Sequence, residues 1–215
     1  MLKRLSWIVL SFVLATSVAQ AGWGYGGGRG NGGGGQTGDS SDLNVTEARQ
    51  LVFLREEEKV ARDVYDRLYE IWGIYVFDNI SNAEQNHMDA VLVQLNKYGL
   101  EDPVLQPGVF SDASLQSLYD SLLNRGAVSP IEALQTGAMI EEVDMQDIQS
   151  MRASTARDDL ISLYDRLACG SRNHLRAFVR QIENRGVVYQ AQALPQDEVD
   201  AIVDTPMERG CGRRY

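Results

Sequence analysis

The apolar residues of this chain recur at three- and four-residue intervals over four long stretches, the pattern of amphipathic helices that share one core. Helix A is expected from about Val45 to Trp72, with Leu51, Leu54, Glu58, Ala61, Tyr65, Leu68 and Trp72 along its apolar stripe and Gly73 as its stop. Helix B covers Asn79 to Gly99 and turns Ile80, Glu84, His87, Val91 and Leu95 to one side. Helix C starts at Ser129-Pro130 with Glu132 as a capping-box acid, and its stripe is Leu134, Ala138, Glu141, Met145 and Ile148. Helix D, from about Thr155 to Arg185, carries Leu160, Leu163, Leu167, Ser171, His174, Phe178 and Ile182 inward. A short helix closed by Gly126 is expected in the connection 101–128, and another after Pro195, where a tail packs across the bundle. Four long helices predict an all-α four-helix bundle, with a connection between B and C long enough to cross it.

Each stripe is interrupted near its middle by groups that do not belong in an apolar core. Glu58, Glu84 with His87, Glu141, and His174 would be buried there, and an ionised carboxylate without compensation costs several kcal/mol to desolvate. A shared metal ion satisfies carboxylate and imidazole together, and Glu-x-x-His is the spacing at which two ligands one turn apart reach one centre. Asp144, one turn from Glu141, is a further candidate ligand. Glu57 is the alternate to Glu58, whereas Glu56 is expected to face water and Glu142 to lie on another face with Gln135 and Gln149. Carboxylates with imidazole suit iron or manganese, one ion or two, and zinc is compatible.

The two ends of the chain differ in kind from the middle. Lys3 and Arg4 precede an apolar run from Leu5 to Leu14 and Ala19-Gln20-Ala21, the form of a signal peptide cleaved after Ala21. Residues 22–43 are mostly glycine and read as a flexible linker, leaving 44–215 as one helical domain in a periplasmic or secreted protein. The formal charge is -10; losing Lys3 and Arg4 gives -10 - 2 = -12, which argues against nucleic acid as a partner. The mature form is expected to carry no membrane anchor. Cys169 and Cys211 cannot build a four-cysteine iron centre, and in an exported chain they are expected to form one bridge tying the tail to helix D.

The segment EKVARDVY from Glu58 resembles the first-helix signature of rubrerythrin-type ferritin-like proteins, and AEQNHM around Glu84 and His87 resembles their second-helix motif. Glu141 and Asp144 match the acidic pair of the third helix, and the stretch from about 45 to 210, with GSRNHLRAFV, looks like a bacterial ferritin-like family of uncharacterised function. The resemblance implies a metal-binding bundle, with oxidase, peroxidase or ferroxidase chemistry and an external electron donor, since there is no rubredoxin-like module. One departure stands out: Ser171 occupies the place of the fourth-helix glutamate, so a bridging carboxylate is missing and the position nearer His174 is expected to fill less readily. Two functions follow as alternatives, a di-iron-type oxidoreductase acting on peroxide or ferrous ions, and a bundle, metal-stapled or metal-free, without turnover.

Overall fold

The computed structural model describes residues 42–211; the expected signal peptide and nearly all of the glycine-rich linker lie outside them. Six helices and no strands are found among the described residues: α1 (Val45–Trp72), α2 (Tyr75–Lys97), α3 (Ala113–Gly126), α4 (Pro130–Ala153), α5 (Asp158–Glu183) and α6 (Gln196–Val203). None of them is long and apolar enough to cross a membrane. The described residues are therefore all-helical in their regular structure, and their four long helices form a bundle. α1 packs along α2 and α4 along α5, and the two pairs close on each other through α2 with α5 and α1 with α4. α3 lies against α1 and α4, and α6 against α5.

Local chemistry sets the helix limits. Asn44 accepts from the Thr46 and Glu47 N–H groups while Glu47 accepts from the Asn44 N–H, a reciprocal cap that fixes the start of α1. Gly73, at φ +62°, takes the left-handed turn that ends α1 and lets α2 begin at Tyr75, four residues before the expected start. Ser129 caps α4 by accepting from the Glu132 N–H, with Pro130 in the first turn. Gly126 is a glycine for another reason than capping: a Cβ there would lie 2.7 Å from Leu68, so it admits α1 rather than terminating α3. α5 is shorter than expected at both ends, because Asp158 and Glu183 mark its limits.

The core falls into two apolar clusters. One gathers Tyr65, Leu68, Phe77, Ile80, Leu134, Phe178 and Ile182, and the other Leu51, Leu54, Val91, Leu95, Ile148, Leu160 and Leu167. On α1, α2 and α5 polar residues stand between the two clusters in sequence, Glu58, then Glu84 and His87, then Ser171 and His174, and on α4 Glu141 and Asp144 lie between Ala138 and Met145 near the end of the first cluster. A polar layer thus divides the core, with apolar packing on both sides. Cys169 and Cys211 are bridged, with Cα atoms 5.4 Å apart, tying the tail to α5 across 42 residues. Beside the bridge Glu208 binds Arg172 and Arg176.

Candidate metal centre

All six residues expected at the centre converge. Glu84, on α2, sits in the middle, one carboxylate oxygen toward each imidazole: its Oε2 is 2.8 Å from His87 Nδ1 and its Oε1 is 2.8 Å from His174 Nδ1. A second carboxylate approaches the same nitrogen of each ring, Glu58 Oε2 at 3.3 Å from His87 Nδ1 and Glu141 Oε2 at 3.3 Å from His174 Nδ1. The two rings are stacked, their centroids 5.3 Å apart. One ligand atom from each of Glu84, His87 and His174 lies within 4.8 Å of the others. The two halves repeat each other's distances.

Ser171 Oγ donates to Asp144 Oδ2 at 2.5 Å, so the acid reaches the layer from α4 while α5 supplies the hydroxyl that orients it. Tyr65 donates to Glu141 Oε1 at 2.5 Å and leaves Oε2 facing His174. Gly170 provides space: a Cβ there would be 2.3 Å from His87 Nε2, so only glycine lets this ring lie against α5.

The electrostatics are those of too many acids for the available protons. Burial pushes Glu58 up to about 7, opposed by His87 and assisted by Glu84. Burial also raises Asp144 far above the usual carboxylate range, with Glu58 and Glu141 adding to the effect, and raises Glu141, with Glu84 adding to it. Glu84 feels the same burial, yet the imidazoles on either side outweigh it and hold this carboxyl well below the ordinary range. Burial disfavours charge on His174, but Glu84 and Glu141 lift it to about 10; His87 is likewise lifted well above its usual value.

Several atoms have no protein partner. Glu58 Oε1 and Asp144 Oδ1 are buried without a hydrogen bond, and His174 Nδ1 makes none of usable alignment despite its two carboxylate neighbours. The buried cations of the chain are engaged elsewhere, Arg55 by Asp102, Lys59 by Asp63 and Arg176 by Glu208. Four carboxylates with two neutral imidazoles would balance two divalent cations, so these residues fit a metal pair in donor type and charge.

Periodicity misplaced one other acid. Glu56 does not face water: it is 3% exposed and accepts from the Ser111 and Asp112 N–H groups, because the connection before α3 folds back over α1. Glu142 is fully buried, receiving Tyr189 Oη at 2.5 Å and the N–H groups of Gln192, Ala193 and Leu194. Glu57 and Asp147 form a further acidic contact between α1 and α4. The signal for Asp147 was its place three residues beyond Asp144.

A family model described as an uncharacterised protein domain, DUF2202, matches residues 47–206, which include every residue of the centre. The uncharacterised protein MJ0754 of Methanocaldococcus jannaschii is 43% identical over 169 residues, 78% of this chain and 91% of that protein. The crystal structure of hypothetical protein MJ0754 from Methanococcus jannaschii is similar with a TM-score of 0.76 at 41% identity, covering 77% of this chain and 96% of that one. By the breadth of the model match and the identity to this relative, the chain belongs to the DUF2202 family of uncharacterised domains.

Proposed function

We propose that this is an exported, ferritin-like metal-binding protein whose centre takes two transition-metal ions, iron or manganese, and acts as a di-iron-type oxidoreductase on peroxide or ferrous ions. The observation that carries the reading is Glu84, whose two oxygens each face an imidazole at 2.8 Å while Glu58 and Glu141 flank those imidazoles at 3.3 Å. In this reading they serve as two three-donor positions that share Glu84. Glu58, His87 and Glu84 would hold one ion and Glu141, His174 and Glu84 the other, with Asp144 next to both. Bound iron or manganese supplies a one-electron couple to the reaction.

The protein's own groups do the rest. Tyr65 fixes Glu141 through one oxygen and Ser171 fixes Asp144, which leaves one oxygen of each free to shift as charge at the centre changes. The apolar clusters on both sides keep bulk water from the polar layer. An external electron donor is part of this reading.

The ferritin-like topology is supported by the order in which the helices meet the two clusters. α2 runs from Phe77 and Ile80 in one cluster to Val91 and Leu95 in the other, and α4 runs from Leu134 to Ile148 between the same clusters in the same sense. The 98–129 connection then has to span the bundle. Export is supported by the Cys169–Cys211 bridge, since disulfides persist in oxidising compartments.

The test is anaerobic titration of the stripped protein with Co2+ and Fe2+, followed by exposure to peroxide. Two equivalents of Co2+ with visible absorption bands are expected, both lost in Glu84→Gln, and the Fe2+ form should be oxidised by peroxide within one mixing experiment. Binding without oxidation selects the bundle stapled by metal, and no binding selects the metal-free one.

A further inference from the structure

A cavity of about 350 Å3 opens beside the first half of α5, and the Cys169–Cys211 bridge forms part of its wall with Ser162, Asp165, Arg166 and Arg209. No residue of the metal centre lines it. Both cysteines are half-buried, so the bridge stands at a surface recess and not in the sealed core. The charges of the wall are unbalanced. Asp165 is engaged through both oxygens by Arg152, which lies outside the cavity. Arg166 and Arg209 have no acidic partner among the described residues, and Arg166 Nε is buried without any hydrogen bond. Asp158 alone therefore opposes two guanidinium groups. In a chain of net charge -10 this is a local reversal of sign.

The two sulfurs of the bridge are also unequal. Asn173 Nδ2 donates to Cys211 Sγ at 3.3 Å, a contact that stabilises negative charge developing there, and Cys169 has no such donor among the described residues. We propose that the cavity receives a small thiol bearing a carboxylate, with Arg166 and Arg209 holding the carboxylate and the Cys169–Cys211 bridge as the group that the thiol reduces. The thiolate attacks Cys169 Sγ and a new S–S bond forms there, while the bond to Cys211 breaks and its electron pair passes to Cys211 Sγ beside Asn173. A second thiolate attacks the mixed disulfide and releases Cys169. Two small thiols are thereby oxidised to one disulfide, the bridge is reduced to two thiols, and the two protons lost by the former are gained by the latter. Glu208, still paired with Arg172 and Arg176, keeps Cys211 near Cys169 for reclosure. None of this depends on metal at the centre.

The experiment follows reduction of the bridge in the oxidised, metal-free full chain by mercaptopropionate, mercaptoethanol and cysteamine, which carry a negative, no and a positive charge. Rates are compared per thiolate, with allowance for the basicity of each thiol. Without a receptive cavity the acidic chain would favour the cationic cysteamine. Mercaptopropionate is instead expected to lead cysteamine by about tenfold, the worth of one charge-assisted contact, with a rate that saturates as its concentration rises. Arg209→Gln, at an exposed position, and Arg166→Gln should each remove most of that lead, with helicity checked by circular dichroism. Intermediates quenched with iodoacetamide should carry mercaptopropionate on Cys169. A wild type in which cysteamine leads overturns the cavity's role, as does a mercaptopropionate lead that survives both arginine changes. An adduct on Cys211 in place of Cys169 overturns the assigned step.

Discussion

Glu141 and Glu142 are neighbours on α4, equally hidden from water, and their surroundings could hardly differ more. Glu142 has a phenol and three backbone N–H groups aimed at its two oxygens, so its charge is satisfied entirely by the protein. Glu141 shares a layer with Glu58, Glu84 and Asp144, in which two imidazoles, the Tyr65 phenol and the Ser171 hydroxyl answer four carboxylates, and Glu58 Oε1 and Asp144 Oδ1 answer to nothing. Burial alone therefore does not mark a binding site. The acid that holds the fold together is the one with a full complement of donors, and the acids proposed to take a ligand are those in the layer where that complement is incomplete.

The widest separation between the two regions should come from isosteric neutralisation. Glu142→Gln turns an amide N–H toward donors and strips buried N–H groups of an acceptor, and is expected to cost about 3 kcal/mol or more in denaturant unfolding. Glu141→Gln in the metal-free protein removes charge from a crowded layer while Tyr65 can still donate, and should stay within about 1 kcal/mol of wild type. Equal losses in the two variants would break the distinction.

Metal removal comes next. With ion at one hundred times its dissociation constant, binding to the native state alone adds about 2.7 kcal/mol, and a chelator should take that away as a fall in Tm. Glu84→Gln should abolish the chelator effect, and Glu142→Gln should keep it. A somewhat smaller loss, about 2 kcal/mol, is expected from Gly170→Ala, because the new methyl group would stand 2.3 Å from His87 Nε2 and must displace the ring. Calorimetric titration with Co2+ should show weaker binding in that variant, whereas an unchanged affinity would mean that the ring's position is not critical.

The smallest effect concerns a third kind of acid, half-buried and paired. Arg172 foremost, against some burial and with help from Arg176, holds Glu208 below its ordinary value of 4.5. A depressed carboxyl contributes its stabilisation above pH 4.5 and loses it as pH falls through the lower folded value. Amide exchange around residue 208 should therefore rise a few-fold below pH 4.5 while exchange in α1 and α4 stays slow; exchange independent of pH there would show that the bridge alone holds the tail.

How far the sequence could be read follows from the same division. Glu58, Glu84, His87, Glu141 and His174 were legible because their partners lie on other regular helices, and a period of 3.6 puts all of them on inward stripes. The bounds of α1 were legible because Asn44, Glu47 and Gly73 are local signals. Glu56 and Glu142 were not, since their donors come from 111–112 and 189–194, irregular segments whose path no periodicity records. Gly170 was equally silent: its value lies in what a side chain on α2 needs, which its own helix does not reveal.

The adjacency of Glu141 and Glu142 also makes α4 a spindle with a locking pin. Successive residues on a helix are about 100° apart, and side-chain heads stand roughly 6 Å from the axis, so a turn of ten degrees would carry a carboxylate about 1 Å sideways. Glu142, gripped by Tyr189 and the 192–194 backbone, resists that rotation. A segment that touches none of the central groups thereby governs the angle at which Glu141 meets His174, and mutations in the tail can detune the centre by torque alone.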